Sequence, residues 1–470
     1  MTRSLLSARR HRATRFLAGA LLLAALTVGC GGGSSGGGGA PANDAVNADV
    51  FTAFPTTTAG FAVGAQGLTI PSVTGLTETG FVTYFDGSLP RLTILDLSGD
   101  TVTLDRELVI DNGTTNRLPT GVEVFSSSLA VVAVSDGGTG LNPTLYFFNP
   151  TTVAGPADFV ALDLSGLMVD SANGLMASDG TMVSGSYPVS FPSGVLVEGG
   201  KLFVTFSNFG SNFESLPGSV HIFDFTVNLG AGTVSATNER ERLTTFYNPI
   251  AMTALDTPSG RAVVVTLEGG NDASFNELAA GLNIINPTSE VVAVSLELGA
   301  TSPSSALVPS PQTPVGFVTS RQNGGSVSLF RIDLAAIGGA LSNSSSMGLP
   351  SALLDTFSIS VNSSTFNSPP APVVAPSGDL VYLLLDSDKR LVTVNAVDGG
   401  VVRDTTLTGP GRLATDAMGS NGFVDNPLYF ARRPGDSGAR LYILTTNLSA
   451  GSRTDADVPT TLDTVDPAFR

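Results

Sequence analysis

Most of the chain consists of short runs in which apolar and polar residues alternate, separated by glycine, serine, asparagine and aspartate. One such run recurs seven times and usually ends in Asp, Asn or a turn. A more continuously apolar run precedes each copy. Alternation with period two predicts half-buried strands, and the continuous runs predict strands buried on both sides. The recurring run occupies residues 91–96, 144–149, 219–224, 281–286, 326–333, 390–395 and 440–445.

The repeat predicts an all-β protein, most simply a β-propeller of seven four-stranded blades spaced by about 58 residues. A β-sandwich and an array of small β-domains are the alternatives. The last blade lacks a clear fourth strand after residue 450, whereas an apolar run at 50–54 comes before the first blade. The N-terminal segment is therefore expected to complete the last blade and close the ring. The predicted propeller spans 49–460, and 461–470 is expected to be a C-terminal tail.

The clearest repeat is Lys201-Leu-Phe-Val-Thr-Phe-Ser-Asn208, with Gly218-Ser-Val-His-Ile-Phe-Asp224 after it. It resembles the YVTN-like and NHL repeats of bacterial propellers and the lactonase propellers related to them. The resemblance covers most of residues 60–450 and implies architecture, not activity. In the lactonase-like propellers a Glu, an Asn and an Asp hold one metal at the ring axis. That triad cannot be placed on this sequence residue by residue, so no ligand set is carried over.

The N-terminus has the composition of an export signal, which must be set aside before the fold is considered. An arginine-rich segment without acidic residues leads into an apolar stretch at 16–29, which is too short to span a bilayer. The segment before Cys30 resembles the bacterial lipobox, so residues 1–29 are predicted to be a lipoprotein signal peptide and Cys30 the lipidated residue. Ordinary cleavage, giving a soluble exported protein, is the alternative.

Residues 30–48 are predicted to be a flexible tether because they begin with a Gly/Ser-rich run. The expected location is the cell envelope, with the membrane contacted through the lipid anchor. Gly31, rather than an aspartate, follows the cysteine. By resemblance to the sorting rule of diderm lipoproteins, this favours the outer membrane.

Charge and composition exclude several classes of function. The signal holds five of the 23 basic residues and none of the 40 acidic ones, so the remainder has a net charge of −22. This acidic balance argues against nucleic acid and anionic lipid surfaces as partners. With one cysteine and no tryptophan, the chain has no internal disulfide, no haem-attachment motif and no tryptophan-bearing propeller repeat.

Two histidines are present, and His11 lies in the signal. His221, in the middle of a strand, is expected to have a structural role, so multi-histidine metal chemistry is excluded. A Ca²⁺ site in the acidic loops is left open, with segments 386–388 and 268–272 as candidates, although neither has the spacing of a dedicated calcium loop. The residues therefore favour a binding or scaffolding module over an enzyme. A lactonase-like or other hydrolase with an axial Ca²⁺ is the alternative.

Long connections suggest where a ligand binds. In a propeller, the loops joining second to third strands lie on the same face as the loops joining successive blades, and long loops on a rigid scaffold often bind ligands. The long connections are 136–143, 207–218, 271–280 and 432–439, together with 167–188 between two blades. The predicted ligand is a protein, peptide or glycan. The predicted ligand-binding residues are Phe209, Phe213, Asn271, Asp272, Arg321, Asn323, Asp386, Arg432 and Arg433.

Overall fold

The computed structural model describes the strands and most of their connections. The described residues are 48–51, 63–85, 88–99, 102–111, 113, 116–137, 139–170, 174–210, 214–270, 278–298, 302–343, 350–363, 367–385, 388, 390–406, 425–432, 441–447 and 461–465. The predicted signal peptide and Cys30 lie outside them and stay predictions. Within the described residues, no helix has the length and apolar character needed to cross a bilayer.

Strands are numbered from β1 (Ala48–Phe51). Six antiparallel sheets, blades 1 to 6, follow along the chain, each made of four consecutive strands. Blade 1 contains β2 (Val63–Thr69), β3 (Thr79–Phe85), β4 (Pro90–Asp96) and β5 (Thr103–Val109). Blade 2 contains β6 (Arg117–Ser126), β7 (Leu129–Asp136), β8 (Thr144–Phe148) and β9 (Val160–Asp163). After an insert with four short strands, β10 to β13, blade 3 contains β14 (Pro192–Glu198), β15 (Lys201–Phe206), β16 (Pro217–Asn228) and β17 (Thr233–Tyr247).

The second half of the ring repeats this order. Blade 4 contains β18 (Pro249–Thr257), β19 (Gly260–Leu267), β20 (Gly281–Asn286) and β21 (Val291–Glu297). Blade 5 contains β22 (Val308–Pro309), β23 (Val315–Thr319), β24 (Ser326–Asp333) and β25 (Leu353–Ser360). Blade 6 contains β26 (Val373–Val374), β27 (Leu380–Leu385), β28 (Arg390–Asn395) and β29 (Val401–Thr406). Single 3₁₀ turns occupy Pro156–Asp158, Leu229–Ala231 and Pro350–Ala352.

The predicted all-β propeller is confirmed, but six blades of consecutive strands are present rather than seven. The remaining four-stranded sheet is composite. It joins β30 (Asp425–Arg432), β31 (Leu441–Asn447) and β32 (Thr461–Val465) to β1 from the other end of the chain. β1 pairs antiparallel with β32 at its outer edge, as the expected N-terminal closure requires.

Two assignments in this composite sheet were wrong. In blades 1 to 6 the recurring run forms the third strand and the apolar run before it the second, so the same order is expected of the last copy. Its described residues, 428–430 and 441–445, lie instead in the first and second strands, β30 and β31. The third strand, β32, falls within 461–470, which was predicted to be a tail. Hydrophobic patterning identifies strands but not their position in a sheet, because two adjacent apolar runs look alike as a first and second or as a second and third strand.

Burial explains the two kinds of run in the sequence. Second strands are covered by a neighbouring sheet on each side, and six consecutive residues of β7 are buried. Outer strands are covered less, and β9 alternates half-buried and exposed residues. First strands of neighbouring blades contact one another around the ring. The core therefore lies between the sheets, and Tyr442 and Leu444 of β31 pack with Val82 and Tyr84 of blade 1 to complete the circle.

One helix, α1 (Leu334–Asn343), lies in the long connection between β24 and β25. Its start is capped by Asp333, whose carboxylate accepts the backbone N–H groups of Ala335 and Ala336 at 2.8 and 3.2 Å. Ile337 and Leu341 pack into the core between blades 4 and 5. The helix thus covers a blade junction.

Candidate functional site

The sheet order fixes which connections share a face. Loops between second and third strands lie on one side of the ring together with the connectors between successive blades. We call this side the long-loop face and the other side the turn face. Of the five long connections found in the sequence, four lie on the long-loop face: β7–β8, β15–β16, β19–β20 and the β9–β14 connector. The fifth, which joins β30 to β31, lies on the turn face because β30 is a first strand.

Residues 164–191, here called the insert, fold as a two-step hairpin between blades 2 and 3. At its base β10 (Met168–Val169) pairs with β13 (Tyr187–Pro188), and further out β11 (Leu175–Met176) pairs with β12 (Met182–Val183). The tip is a turn at residues 177–181 in which the N–H of Ala177 donates to the carbonyl of Thr181 at 2.8 Å. Gly180 supplies the positive φ of 85° that this turn needs.

The tip of the insert is attached to blade 3. The N–H of Ser178 donates to the carbonyl of Ser215 at 2.8 Å, and the N–H of Ser215 donates to the hydroxyl of Ser178 at 3.0 Å. The hydroxyl of Tyr247 donates to the carbonyl of Met176 at 2.9 Å. These bonds hold the insert against the long-loop face.

Asn248 links the loop that contains Ser215 to the loop that contains Gly269. It is fully enclosed, adopts a positive φ of 52° and donates its side-chain amide to the carbonyl of Gly269 at 2.6 Å and to the hydroxyl of Ser215 at 3.2 Å. Asparagine tolerates this backbone region better than most residues. A single buried amide therefore ties the β15–β16 and β19–β20 loops together.

A cavity of about 460 Å³ lies beside the insert tip, open to solvent on the long-loop face. Ten of the described residues, from three segments, line it, and these walls are mainly apolar. Its size falls within the range of small-molecule and side-chain pockets. The lining residues are Met176, Ala177, Ser178, Asp179, Gly180, Thr245, Phe246, Tyr247, Leu278 and Ala279.

Phe209, one of the predicted ligand-binding residues, lies next to this region and packs edge-on against Phe191, with ring centroids 5.3 Å apart. Phe191 has a φ of 52°, which is rare for a bulky side chain. The Phe191 ring packs directly against the backbone of Gly140, where a side chain would not fit: a Cβ at Gly140 would lie 2.3 Å from the Phe191 Cγ. A half-buried aromatic pair is thus presented at the junction of blades 2 and 3.

Arg321 and Asn323 also lie on the long-loop face, but both have contacts within the protein. Arg321 forms an ion pair with the buried carboxylate of Glu268 and so joins blades 4 and 5. Asn323 closes a tight turn, its N–H donating to the carbonyl of Ser326 at 2.9 Å. Neither residue lines the cavity.

Arg432 does not lie on the face that was predicted to bind the ligand. It ends β30 opposite Leu441 at the start of β31, so it lies at a first-to-second connection on the turn face. The cause is the shifted strand assignment in the composite sheet. Five further predicted ligand-binding residues lie outside the described residues, so their positions stay predictions: Phe213, Asn271, Asp272, Asp386 and Arg433.

The carboxylates singled out for calcium have other partners where they are described. Glu268 pairs with Arg321. Asp388 accepts the N–H of Asn362 at 2.9 Å and the side-chain amide of Asn367 at 3.1 Å, and pairs with Arg390 at 3.3 Å. Within the described residues, no three His, Cys, Asp or Glu side chains are grouped to hold a metal ion. A Ca²⁺ site stays a prediction.

His221 takes part in a hydrogen-bonded chain inside blade 3. Its ring nitrogens lie 3.1 Å from the Ser219 hydroxyl and 2.6 Å from a Glu239 carboxylate oxygen. The connectivity is that of a nucleophile, base and acid. Ser219 and His221 are both 0% exposed, however, and the amide of Asn208 donates to the same serine hydroxyl at 3.2 Å. A substrate carbonyl cannot reach that oxygen, so the chain of bonds is structural.

Sequence reasoning missed Glu123 on β6, the innermost strand of blade 2. Its neighbours Val122 and Val124 pack against blade 1, so Glu123 lies on the other side of the strand. The side chain is open to solvent and has no hydrogen-bond or ion-pair partner in the described part of the chain. Desolvation by the surrounding protein raises the pKa of Glu123 to about 7, although the side chain itself is exposed. The sequence signal for this residue was a single glutamate between two valines.

The cavity was also missed, although the sequence held a clue. Three of the seven methionines, Met168, Met176 and Met182, fall within 15 residues of the insert. All three are more than 40% exposed, which is unusual for a large apolar side chain. A local methionine excess in a surface insertion marks an adaptable apolar surface.

The fold places the chain in the class of β-propellers. No family model matches the sequence. No curated protein matches it either. Solved structures similar in fold include hydrazine synthase from Kuenenia stuttgartiensis (12% identity, 83% of this chain and 95% of that chain, TM-score 0.48). They also include AztD from Citrobacter koseri (10%, 74% and 87%, 0.40).

Sqt1 from Chaetomium thermophilum, bound to the N-terminus of ribosomal protein L10, is similar at 13% identity over 86% of this chain and 84% of that chain, with a TM-score of 0.44. At these identities and scores, the similarities carry no functional argument.

Proposed function

We propose that this protein is an exported, lipid-anchored binding or scaffolding module of the cell envelope. In this proposal the Cys30 anchor and the following tether hold the propeller at the membrane, in the outer membrane of a diderm cell. The ligand, a protein, peptide or glycan, docks on the long-loop face at the cavity beside the insert.

The cavity is the observation that carries the proposal. Three separate segments form its described walls. The hydroxyl of Tyr247 joins two of them, and the bonds between Ser178 and Ser215 attach the insert tip to blade 3. A preformed pocket loses little conformational freedom on binding, which favours affinity. The Phe191–Phe209 pair beside it adds rigid aromatic area to the same face.

Position-specific photo-cross-linking in the native envelope tests the proposal. A photoreactive amino acid at Met182, 58% exposed on the insert, should capture a defined partner. The same group at Val397, 65% exposed in a third-to-fourth-strand turn on the turn face, is the matched control. The purified partner should then bind the wild-type chain and lose affinity for the Met176→Asp, Met182→Asp double variant. Equal capture at both positions contradicts the proposal.

A hydrolase centre near the ring axis is the second candidate, and Glu123 is the observation that favours it. A carboxylate on an innermost strand whose pKa is about 7 has the proton affinity that general-base catalysis requires at neutral pH. Lactone hydrolysis that responds to added Ca²⁺ and disappears in Glu123→Gln would support this candidate. Identical rates in the variant would remove it.

A further inference from the structure

The charge of the cavity bears on the chemistry of its ligand. Among the lining residues that the structure describes, Asp179 is the only acidic one and none is basic. The net charge of the lining is therefore negative, on a protein that is itself strongly acidic. An anionic ligand would meet uncompensated repulsion here, whereas a cation would find its counter-charge.

The Asp179 side chain is held in place by a hydrogen bond from the backbone. One carboxylate oxygen accepts the N–H of Thr181 at 2.9 Å, an Asx-type turn that fixes the side chain at the insert tip. No arginine or lysine pairs with it in the described part of the chain. Burial raises the pKa of Tyr247, and the negative charge of Asp179 raises it further, so the carboxylate acts on the cavity wall.

The two arginines on the strand that lines the cavity are directed elsewhere. Arg240 and Arg242 lie on β17, only a few residues before the part of that strand that lines the cavity. Arg240 pairs with Asp224 at 2.8 Å and with Glu290, and Arg242 donates to the backbone carbonyl of Glu290. Glu290 belongs to a turn of blade 4 on the turn face, so both guanidinium groups are held away from the cavity.

The remaining walls suit an organic cation rather than a hydrated metal ion. The described lining includes two aromatic residues, Phe246 and Tyr247, and the apolar residues Met176 and Leu278. Aromatic rings attract ammonium and guanidinium groups, and the apolar walls accommodate the stem that carries the charge. The Tyr247 ring is held in place because its hydroxyl donates to the Met176 carbonyl.

From this arrangement we propose that the cavity binds an organic ammonium or guanidinium group on an apolar stem, with Asp179 as its counter-charge. The inference rests on the proposed binding function and names the chemistry of the ligand. A lysine or arginine side chain of a partner and a free amine share this chemistry.

Titration of the full-length chain, purified in non-ionic detergent, with four probes tests the inference. Phenethylammonium should bind about tenfold more tightly than 2-phenylethanol, its neutral counterpart, and than 3-phenylpropanoate, an anion. The fourth probe, a capped Phe-Lys-Phe peptide, distinguishes the sources. Tighter binding of the peptide indicates a partner's side chain, and tighter binding of the free amine indicates a small molecule.

Asp179→Asn should weaken binding of the two cationic probes by about tenfold, because asparagine keeps the turn but removes the charge. Asp163→Asn is the matched control, since Asp163 makes the same kind of turn, accepting the N–H of Ser165 at 2.9 Å outside the cavity. Equal binding of 2-phenylethanol and phenethylammonium, no effect of Asp179→Asn, or no binding of any probe overturns the inference. The cross-linking result at Met182 uses no probe, so it judges the binding function separately.

Discussion

Blades 1 to 6 and the composite sheet have the same four-stranded architecture but are assembled differently. In the six blades every strand pairs with a strand close to it in sequence, across a turn or a modest loop. In the composite sheet β1 pairs with β32, which lies more than 400 residues away. The ladder hydrogen bonds are of one kind, but the chain entropy lost in forming them is larger for the distant pair. The comparison teaches that the blades are local products of the sequence, whereas closure depends on the whole ring.

Side chains join neighbouring sheets at both kinds of junction. Between blades 3 and 4, Lys201 and Arg240 both pair with Glu290 on the turn face. Where the composite sheet meets blade 1, Tyr442 and Leu444 pack with Val82 and Tyr84. We expect closure of the ring to depend on the pairing of β1 with β32, and the junction of blades 3 and 4 to depend also on its ion pairs.

The largest expected effect comes from removing the closing strand. Deleting residues 31–57 should lower Tm by roughly 5 °C or more, because a ladder hydrogen bond contributes about 0.5–1.5 kcal/mol and 1 kcal/mol is worth about 2–4 °C in a domain of 150–250 residues. Deleting 31–42, which leaves β1 intact, is the control and should leave Tm unchanged. Equal melting temperatures for the two truncations, measured by calorimetry, would break the comparison.

A backbone contact between blades 1 and 2 tests how closely their first strands must approach. A Cβ on Gly67 would lie 2.4 Å from the Cα of Gly121, whereas a Cβ on Gly121 would be 3.8 Å from the Cα of Gly67. Gly67→Ala should therefore destabilise the protein by about 1–3 kcal/mol, as overpacking does. Gly121→Ala should cost far less. Urea unfolding of the two variants measures the difference, and equal losses would show that the strands move apart freely.

Carboxylates at the junction of blades 3 and 4 test its ionic links. The Glu290 side chain is 10% exposed and pairs with Lys201 and Arg240, whereas that of Asp256 is 88% exposed and pairs with Arg261 at 3.1 Å. Glu290→Gln should lower the free energy of unfolding by about 1–2 kcal/mol, since Lys201 and Arg240 each lose an anionic partner. Asp256→Asn should change it by less than about 0.5 kcal/mol. A larger loss in Asp256→Asn would contradict this account.

The smallest expected effect is a pH dependence centred on Glu123. Its folded-state pKa of about 7 exceeds the value of about 4.3 in an unfolded chain, so the folded protein binds this proton more tightly. Stability from this group is therefore present below about pH 4 and lost as pH rises to about 7. The Glu123→Gln variant has no charge to gain at this position, so it should keep this stability at high pH. Its Tm should exceed that of the wild type at pH 8 but equal it at pH 4. The gain should be modest because solvent screens the group, and an equal Tm difference at both values would refute it.

Particular residues show how far sequence reasoning reaches into the site. Phe209 could be placed on the correct face because it follows a strand whose apolar run is unmistakable. Arg432 could not, because its strand is first rather than second in its sheet. Asp179 lies on the insert, whereas Phe246 and Tyr247 lie at the end of β17, and only the folded insert brings these two segments together.

The sequence alone determined the all-β class, the repeated strand pattern and the face from which the insert extends. These follow from the period of two and from the up-and-down order of short loops, which are local properties of the chain. The tertiary structure decided the positions of β30, β31 and β32 within the composite sheet, which carboxylates pair with arginine and where a cavity forms. Those features depend on contacts between residues far apart in sequence, and hydrophobic patterning does not encode such pairings.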